Sequence, residues 1–272
     1  MRYGIWKKNI ALPQEHGSWV FILSPLIVGL FAAGRFTSAS VAIIVAAMSA
    51  FLLRQPMSIL VKVYSGRRSR QDLNAALFWG ILYSLGALGG LIALLSRGFF
   101  FVLWLTLPGI PVFLWHLYLI SRRAERRQMG VEIVATGVLA LAAPAAFWVS
   151  KGAYDAQGWW LWLLCWLQAA ASIVYAFVRL EQREWEVLLP PRERWRHGQR
   201  AALYVTFNLA LTLAFGLGDL LPRWIFLPFL LQWVETMWGI SHPAWRWKPT
   251  RIGIRQLIVS TLWTVLFILT WR

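Results

Sequence analysis

The sequence predicts an all-α fold, a polytopic bundle of transmembrane helices that occupies residues 1–272 as a single membrane domain. Nine apolar runs are long enough to cross a bilayer. Only 14% of the residues are charged, whereas a soluble domain carries roughly 25%. The 27 Lys and Arg residues are unevenly distributed, because alternate segments hold three, five, four, six and four of them, 22 in all, with Arg54 and Arg255 near the span ends counted in the adjoining segments.

The apolar runs define nine predicted spans. Most have about 18–22 residues, and about 20 helical residues at 1.5 Å each cover the hydrocarbon layer. Helices are expected because every backbone N–H and C=O must be satisfied without water. The second span has two alternative ends, because it either stops near Pro56 or continues past it to Tyr64. The spans are 17–34, 38–55, 73–95, 99–120, 131–150, 159–178, 201–217, 222–240 and 254–271.

The charge bias predicts the orientation. The other segments hold only five basic residues, and Lys/Arg-rich loops stay in the cytoplasm. We therefore expect a multi-pass membrane protein with a cytoplasmic N-terminus, an external C-terminus and the lipid bilayer as its main partner. The net charge of +16 has the same explanation, so no nucleic-acid partner is expected. The five exceptions are Arg35, Arg97, Lys151, Arg223 and Arg272.

Several features have ordinary structural explanations. Gly86, Gly89 and Gly90 are expected to let the third span approach a neighbour closely. Pro108 and Pro111 are expected to kink the fourth span, and Pro144 the fifth. The tryptophans near span ends predict an aromatic belt at the membrane interface. These are Trp159, Trp160, Trp162, Trp245 and Trp247.

Ionisable residues within spans carry more information, because they are costly there and tend to face a cavity or a partner. Nearly all of them lie towards the predicted cytoplasmic ends. Long arginine side chains can reach the headgroups from such positions, but Glu235 and His116 are too short to do so easily. We expect a polar cavity on the cytoplasmic side. Its candidate residues are Glu15, His16, Arg54, Gln55, Ser58, Lys62, His116, Glu132, Arg179, Arg183, Glu235 and His242.

Two basic stripes sharpen this expectation. Arg179 and Arg183 are four apart and share a helix face. Arg54, Ser58 and Lys62 have the same spacing if the second helix continues past its proline. Facing stripes around a common hollow would bind phosphate, sulfate or carboxylate groups, for which arginine offers bidentate donors. The alternative is that both stripes face anionic headgroups and only set the topology.

The N-terminal segment resembles a known family. The run Leu12-Pro13-Gln14-Glu15-His16-Gly17-Ser18-Trp19, leading into Ser24-Pro25-Leu26 and Gly29, resembles the opening of the YwiC-like bacterial membrane proteins. The resemblance implies a bacterial cytoplasmic membrane and no particular activity. More distantly, the nine-span layout is similar to that of the UbiA superfamily of intramembrane prenyltransferases.

The similarity to UbiA enzymes implies a metal site that this sequence lacks. Those enzymes hold Mg²⁺ on an isoprenoid diphosphate with two aspartate-rich motifs, after their second and sixth spans. The matching positions here are Arg54, Gln55, Ser58 and Lys62, then Arg179 and Arg183. Mg²⁺ needs oxygen ligands, usually carboxylates, so no metal or other cofactor is expected. Guanidinium groups could instead meet an anion directly.

Three functions follow as hypotheses. The favoured one is binding of an anionic amphipathic ligand, such as a lipid or isoprenoid phosphate. The second is a metal-free prenyl or lipid transferase, in which the carboxylates or a histidine act as acid or base. The third is a transporter or assembly subunit without catalysis, and haem or metal binding by His16, His116 and His242 is weaker still. The sequence identifies neither a substrate, nor a reaction, nor an oligomeric state. The acid–base candidates are Glu15, His16, Glu132 and Glu235.

Overall fold

A computed structural model describes residues 6–13, 16–124 and 128–271, apart from the side chain of His16, and these residues form helices and connections without a strand. The protein is therefore an all-α polytopic membrane bundle, as predicted. A short 3₁₀ turn, Arg70–Asp72, precedes α4. The helices are α1 (Lys8–Ala11), α2 (His16–Ala32), α3 (Ser38–Tyr64), α4 (Leu73–Leu95), α5 (Val102–Ser121), α6 (Met129–Ala140), α7 (Ala142–Lys151), α8 (Gln157–Arg183), α9 (Pro191–Leu217), α10 (Phe226–Ser241) and α11 (Pro249–Thr270).

Each of the nine predicted spans contains a helix of the structure. Among the described residues, seven helical segments are long and apolar enough to cross a membrane, with α6 and α7 counted as one. The helices of the first and eighth predicted spans, α2 and α10, have 17 and 16 residues. Helix α9 begins ten residues before its predicted span, because the hydropathy pattern marks the apolar part while charged residues continue the helix.

The fifth span is broken between α6 and α7 at Leu141. Pro144 explains the break, since its ring excludes the carbonyl group four residues earlier and it has no N–H to donate. The break agrees with the kink predicted there, whereas α5 continues as one helix through Pro108 and Pro111. Helix α7 is buried from Ala142 to Ser150. A Cβ added to Gly29 of α2 would overlap the carbonyl oxygen of Ala143, so glycine allows the two helices to touch.

The helices gather into two compact units, Met1–Trp162 and Leu163–Arg272, with the boundary inside α8. In the first unit, glycines let α3 and α4 approach closely. A Cβ built on Gly86 would lie 2.5 Å from the hydroxyl oxygen of Ser49, and one on Gly90 would lie 2.8 Å from the carbonyl oxygen of Ala42. These two glycines confirm the prediction, whereas a Cβ on Gly89 would meet open space.

One end of the first unit gathers connections that are poor in Lys and Arg. Arg97, between α4 and α5, donates to the hydroxyl of Ser38 at 3.0 Å, at the start of α3. The hydroxyls of Ser40 and Ser150, at the start of α3 and the end of α7, lie 2.8 Å apart. The connections after α2, α4 and α7 therefore share one end of this unit.

The opposite end of the first unit holds the basic connections. Asp72 pairs with Lys7 at 2.7 Å and with Arg68 at 2.6 Å, which ties the N-terminal segment to the connection between α3 and α4. Arg67 donates to the carbonyl oxygen of Ile120 at the end of α5. The fold thus collects at one end the segments that the charge bias assigns to one side of the membrane.

Helix α10 is central in the second unit. It packs against both α9 and α11. A Cβ added to Gly239 of α10 would overlap the phenol oxygen of Tyr175 in α8, and one added to Gly198 of α9 would lie 2.6 Å from Ile240. Small residues on both helices therefore permit the close packing of α10.

The second unit also has a basic end. The indole N–H of Trp245 donates to the carbonyl oxygen of Trp185 at 3.1 Å. Arg194 of α9 donates to the carbonyl oxygen of Ser241 at 3.1 Å. The connections after α8 and α10 are therefore adjacent, while Arg223 lies in the connection at the other end of α9 and α10.

Candidate functional site

A row of buried polar side chains runs along the part of α8 that belongs to the second unit. Its members recur every three or four residues, which places them on one helix face. Side chains of this row bond to α10 and α11. Polar groups in a membrane interior need such partners, because each unsatisfied group costs several kcal/mol there. The members are Gln168, Ser172, Tyr175, Arg179 and Gln182.

Arg179 is the charged member of this row, and only 1% of its surface is exposed. Its Nη1 donates to the carbonyl oxygens of Gly239 at 2.6 Å and His242 at 2.8 Å, and to Gln182 at 2.9 Å. Those carbonyls belong to the end of α10, where a helix leaves acceptors unpaired and carries partial negative charge. Arg179 therefore caps α10. Its Nη2 has no hydrogen-bond partner among the described residues.

Glu235 forms a second charged contact next to this cap. Its two carboxylate oxygens accept from Nε and Nη2 of Arg255 at 2.6 and 2.7 Å, a bidentate pair. The hydroxyl of Tyr175 donates to the same carboxylate at 3.0 Å. The guanidinium of Arg255 lies 3.9 Å from the ring centre of Trp238. Glu235, predicted as an intramembrane ionisable residue, thus has a charged partner from α11.

These contacts border a groove of about 700 Å³ formed by the end of α10, the connection that follows it and the first half of α11. One part of its lining is basic and the other is aliphatic. The basic part contains Arg246, Lys248, Arg251 and Arg255, and the aliphatic part Ile254, Ile258 and Val259. The remaining lining residues are Glu235, Trp247 and Thr250.

Trp247 stands between the groove and the Arg179 cap. Its ring centre lies 4.0 Å from the guanidinium carbon of Arg251 and 5.0 Å from that of Arg179. Both distances suit a cation–π interaction. Trp247, predicted only as part of an interface belt, therefore also orders the basic part of the groove.

The groove is amphipathic along α11. Arg251, Arg255 and Val259 follow at intervals of four residues and share one face of the helix. From Arg251 to Val259 the helix rises by about 12 Å. An anionic group at the basic part and an apolar chain along Ile254 and Ile258 would therefore match the groove in both charge and hydrophobicity.

The other predicted residues of the second unit lie near its basic end. Arg183 is the last residue of α8, is about one-third exposed (33%) and approaches Glu184 at 3.9 Å. His242 is exposed and stacks on Trp238 at 4.7 Å between ring centres. Arg179 and Arg183 share a face, as predicted, but Arg179 is buried while Arg183, one turn further along, is partly exposed. Glu181 points elsewhere and pairs with His197 at 2.6 Å.

The first unit contains the other basic stripe. Helix α3 continues past Pro56 to Tyr64, so Arg54, Ser58 and Lys62 lie on one face. The hydroxyl of Ser58 donates to the carbonyl oxygen of Arg54 at 2.7 Å. Gln55 donates to the carbonyl oxygen of Asn9 at 2.9 Å, which connects α3 to α1. That the two stripes share one hollow stays a prediction.

The remaining candidates belong to the first unit as well. His116 lies on α5 and is half-buried, and Glu132 is exposed in the first turn of α6. Glu15 lies outside the described residues. His16 begins α2, but its side chain is likewise outside them. In the part of the chain that the structure describes, no group of three or more His, Cys, Asp and Glu side chains could hold a metal ion.

The sequence reasoning missed the basic residues of the groove. Arg251 and Arg255 are four apart, the same signal that singled out Arg179 and Arg183. The predicted ninth span begins at residue 254, so it separates Arg251, in the preceding connection, from Arg255, inside the span. The helix in fact begins at Pro249 and carries both arginines on one face.

Comparison with known proteins identifies the family. The model of the YwiC-like protein family matches residues 12–147, which is half of the 272 residues. The chain belongs to the YwiC-like family. This match confirms the resemblance of the N-terminal segment, and the groove lies outside the matched residues. No curated protein and no solved structure matches this YwiC-like protein, and the UbiA-like layout stays a prediction.

Proposed function

We propose that this YwiC-like protein binds an anionic amphipathic ligand, a lipid or an isoprenoid phosphate, in the groove of its second unit. The observation that carries the proposal is the composition of the groove. Four Lys and Arg side chains border one part of it, and aliphatic residues of α11 border the other. A phosphate group would bind at the basic part, while a hydrocarbon chain would lie along the aliphatic part.

The electrostatics of the groove favour an anion over a neutral lipid. Glu235 compensates one of the four positive charges through its pair with Arg255. Lys248 and Arg251 are exposed and lie at the start of α11, where the backbone N–H groups also favour negative charge. A ligand phosphate at this position would add charge-assisted hydrogen bonds.

The proposal includes an orientation. The basic ends of the two units would face the cytoplasm of a bacterial inner membrane, following the positive-inside rule. The groove, beside the basic connection after α10, would then open to the inner leaflet. Supporting this, the connections with most Lys and Arg meet at one end of each unit.

A pair of ligands that differ only in the phosphate tests the binding. Purified protein in maltoside micelles is titrated with farnesyl phosphate and with farnesol. The phosphate is expected to bind and the alcohol to bind much more weakly, because the basic residues attract only the former. Equal affinity for the two ligands would show that the basic part of the groove does not contribute.

Matched charge variants locate the site. Arg251→Gln should weaken farnesyl phosphate binding roughly fivefold, from about 1 kcal/mol per basic residue near an anionic group. Arg223→Gln removes the same charge before the other end of α10, which begins at Phe226, about 14 Å from Glu235 along the helix, and should have no effect. If the two variants lose affinity equally, the ligand does not occupy this groove.

Two exposed serines test the orientation. Ser65 follows α3 at the basic end of the first unit, and Ser96 follows α4 at the other end. The natural Cys165 is buried and should not react. In intact cells, a membrane-impermeant maleimide should label Ser96→Cys, and should label Ser65→Cys only after permeabilisation. The reverse pattern would contradict the orientation proposed for the first unit.

A further inference from the structure

A second cavity lies in the first unit, at the end that is poor in Lys and Arg. It has a volume of about 410 Å³ and is lined entirely by aromatic residues. They come from the start of α5, the end of α7, the connection after α7 and the start of α8. The lining residues are Phe101, Trp104, Trp148, Tyr154 and Trp159.

The rings of this aromatic cavity are arranged around Trp148. Phe101 is perpendicular to Trp148, at 89° and 5.9 Å between ring centres, and Trp159 is nearly so, at 75° and 5.3 Å. Tyr154 is inclined at 45° and 4.9 Å. Trp148 is almost fully buried, with 1% exposed. An interface belt needs only rings that face lipid, whereas here several rings converge on one cavity with a buried ring at its base.

Hydrogen bonds fix the orientation of these rings. The indole N–H of Trp148 donates to the carbonyl oxygen of Asp155 at 2.5 Å. The indole N–H of Trp159 donates to the hydroxyl of Tyr154 at 3.1 Å. Gly158 permits the close approach of Trp148, because a Cβ there would lie 2.7 Å from the Cε2 atom of that ring. These hydrogen bonds and the close approach at Gly158 therefore hold the rings that line the cavity in fixed positions.

The chemistry of the lining selects one kind of ligand. The faces of aromatic rings carry negative potential and attract cations. The indole N–H groups of Trp148 and Trp159 are already bonded within the protein, and the acceptor that the lining side chains offer is the Tyr154 hydroxyl oxygen, which accepts from Trp159. A primary ammonium or an alkali ion would lose its hydrating water molecules without gaining enough oxygen acceptors in their place. A quaternary ammonium group has no N–H to satisfy and keeps its attraction to the rings.

We propose that this aromatic cavity binds a quaternary ammonium group. The nearby Lys151 does not oppose such a cation, because its ammonium pairs with the carboxylate of Asp155. Trp104 and Tyr154, 70% and 57% exposed, leave the cavity open to ligand. The ammonium group belongs either to a soluble cation of the choline type or to the headgroup of a phosphatidylcholine.

Choline and its neutral isostere test the proposal. Equilibrium binding of radiolabelled choline is measured to the full-length protein in maltoside micelles, with competition by tetramethylammonium and by 3,3-dimethylbutan-1-ol. Tetramethylammonium should compete, and the alcohol, which has the same shape without the charge, should not. Absence of choline binding, or equal competition by the alcohol, would overturn the proposal.

Variants of one exposed residue locate the cation. Tyr154→Leu removes a ring and should weaken choline binding roughly fivefold, in the range expected for one cation–π contact. Tyr154→Phe keeps the ring and should bind nearly as well as the natural protein. Trp224→Leu removes an exposed tryptophan of the second unit and should leave binding unchanged. Equal loss in Tyr154→Leu and Trp224→Leu would exclude this cavity.

Short-chain lipids distinguish the two sources of the ammonium group. Diheptanoyl phosphatidylcholine and diheptanoyl phosphatidylglycerol have the same chains, and only the first carries the quaternary ammonium. If the phosphatidylcholine displaces choline at lower concentration than choline itself while the phosphatidylglycerol does not, the ligand is a lipid headgroup. If neither lipid competes and choline binds, the ligand is a soluble cation.

Discussion

The Arg179 cap makes a quantitative prediction about stability. Arg179→Met removes the guanidinium and keeps an apolar side chain of similar length. The change takes a charged donor from the carbonyl oxygens of Gly239 and His242 at the end of α10. Hydrogen bonds to charged groups contribute about 1.5–3 kcal/mol each. Relief of the buried charge offsets part of that loss, so we expect the free energy of unfolding to fall by about 3 kcal/mol.

Arg183→Met is the matched control, because it is the same substitution one helical turn further along α8. The side chain of Arg183 is one-third exposed and has a contact of 3.9 Å to Glu184. Such exposed contacts contribute at most about 1 kcal/mol and often nothing. Arg183→Met should therefore change the free energy of unfolding by less than about 0.5 kcal/mol.

The assay is reversible unfolding in mixed micelles of dodecyl maltoside and sodium dodecyl sulfate, followed by circular dichroism. It is carried out on protein stripped of lipid and repeated with farnesyl phosphate. The difference between Arg179→Met and Arg183→Met should be present in both conditions, because the cap needs no ligand. If the two variants are equally stable without ligand, Arg179 does not hold α10 in the way inferred from its contacts.

Two further predictions concern packing and pH. Gly239→Ala should destabilise the protein by about 1–3 kcal/mol, because the new methyl group would overlap the buried phenol of Tyr175. Gly253→Ala, where a Cβ meets open space, should be neutral or stabilising in the same unfolding assay, and equal losses would contradict the packing. The hydrogen bond from Lys151 holds the pKa of Asp155 below its usual 3.8. The stability that this pair contributes is therefore complete above pH 3.8 and is lost as the pH falls towards the lowered pKa. Asp155→Asn should remove this acid dependence, at a loss of less than about 1 kcal/mol near neutral pH, and identical acid-unfolding curves for both proteins would contradict the pairing.

The helices were predictable because their signals are local. Pro144 breaks the fifth span through its own missing N–H, and Gly86 and Gly90 pack against α3 because they lack side chains. The ends of helices were predicted less well. Hydropathy does not register the charged turns that extend α9 back to Pro191 and α11 back to Pro249.

The role of each charged residue was not predictable in the same way. Arg179 and Arg183 form one stripe in the sequence, yet one caps a helix and the other is partly exposed. The partners of Arg179 lie about 60 residues away, and nothing in the sequence indicates which carbonyl groups will be adjacent. The pair between Glu235 and Arg255 likewise depends on the packing of α10 against α11.

The sequence by itself determined that this YwiC-like protein is a helical membrane protein, and it predicts which segments share a side of the membrane. Partition between water and lipid acts on each segment nearly independently, so composition and charge suffice. The tertiary structure decided which basic side chains cap a helix and which border a groove. That distinction depends on contacts between helices distant in the chain, where an arginine beside carbonyl groups stabilises the fold and one beside an open apolar wall can meet a ligand.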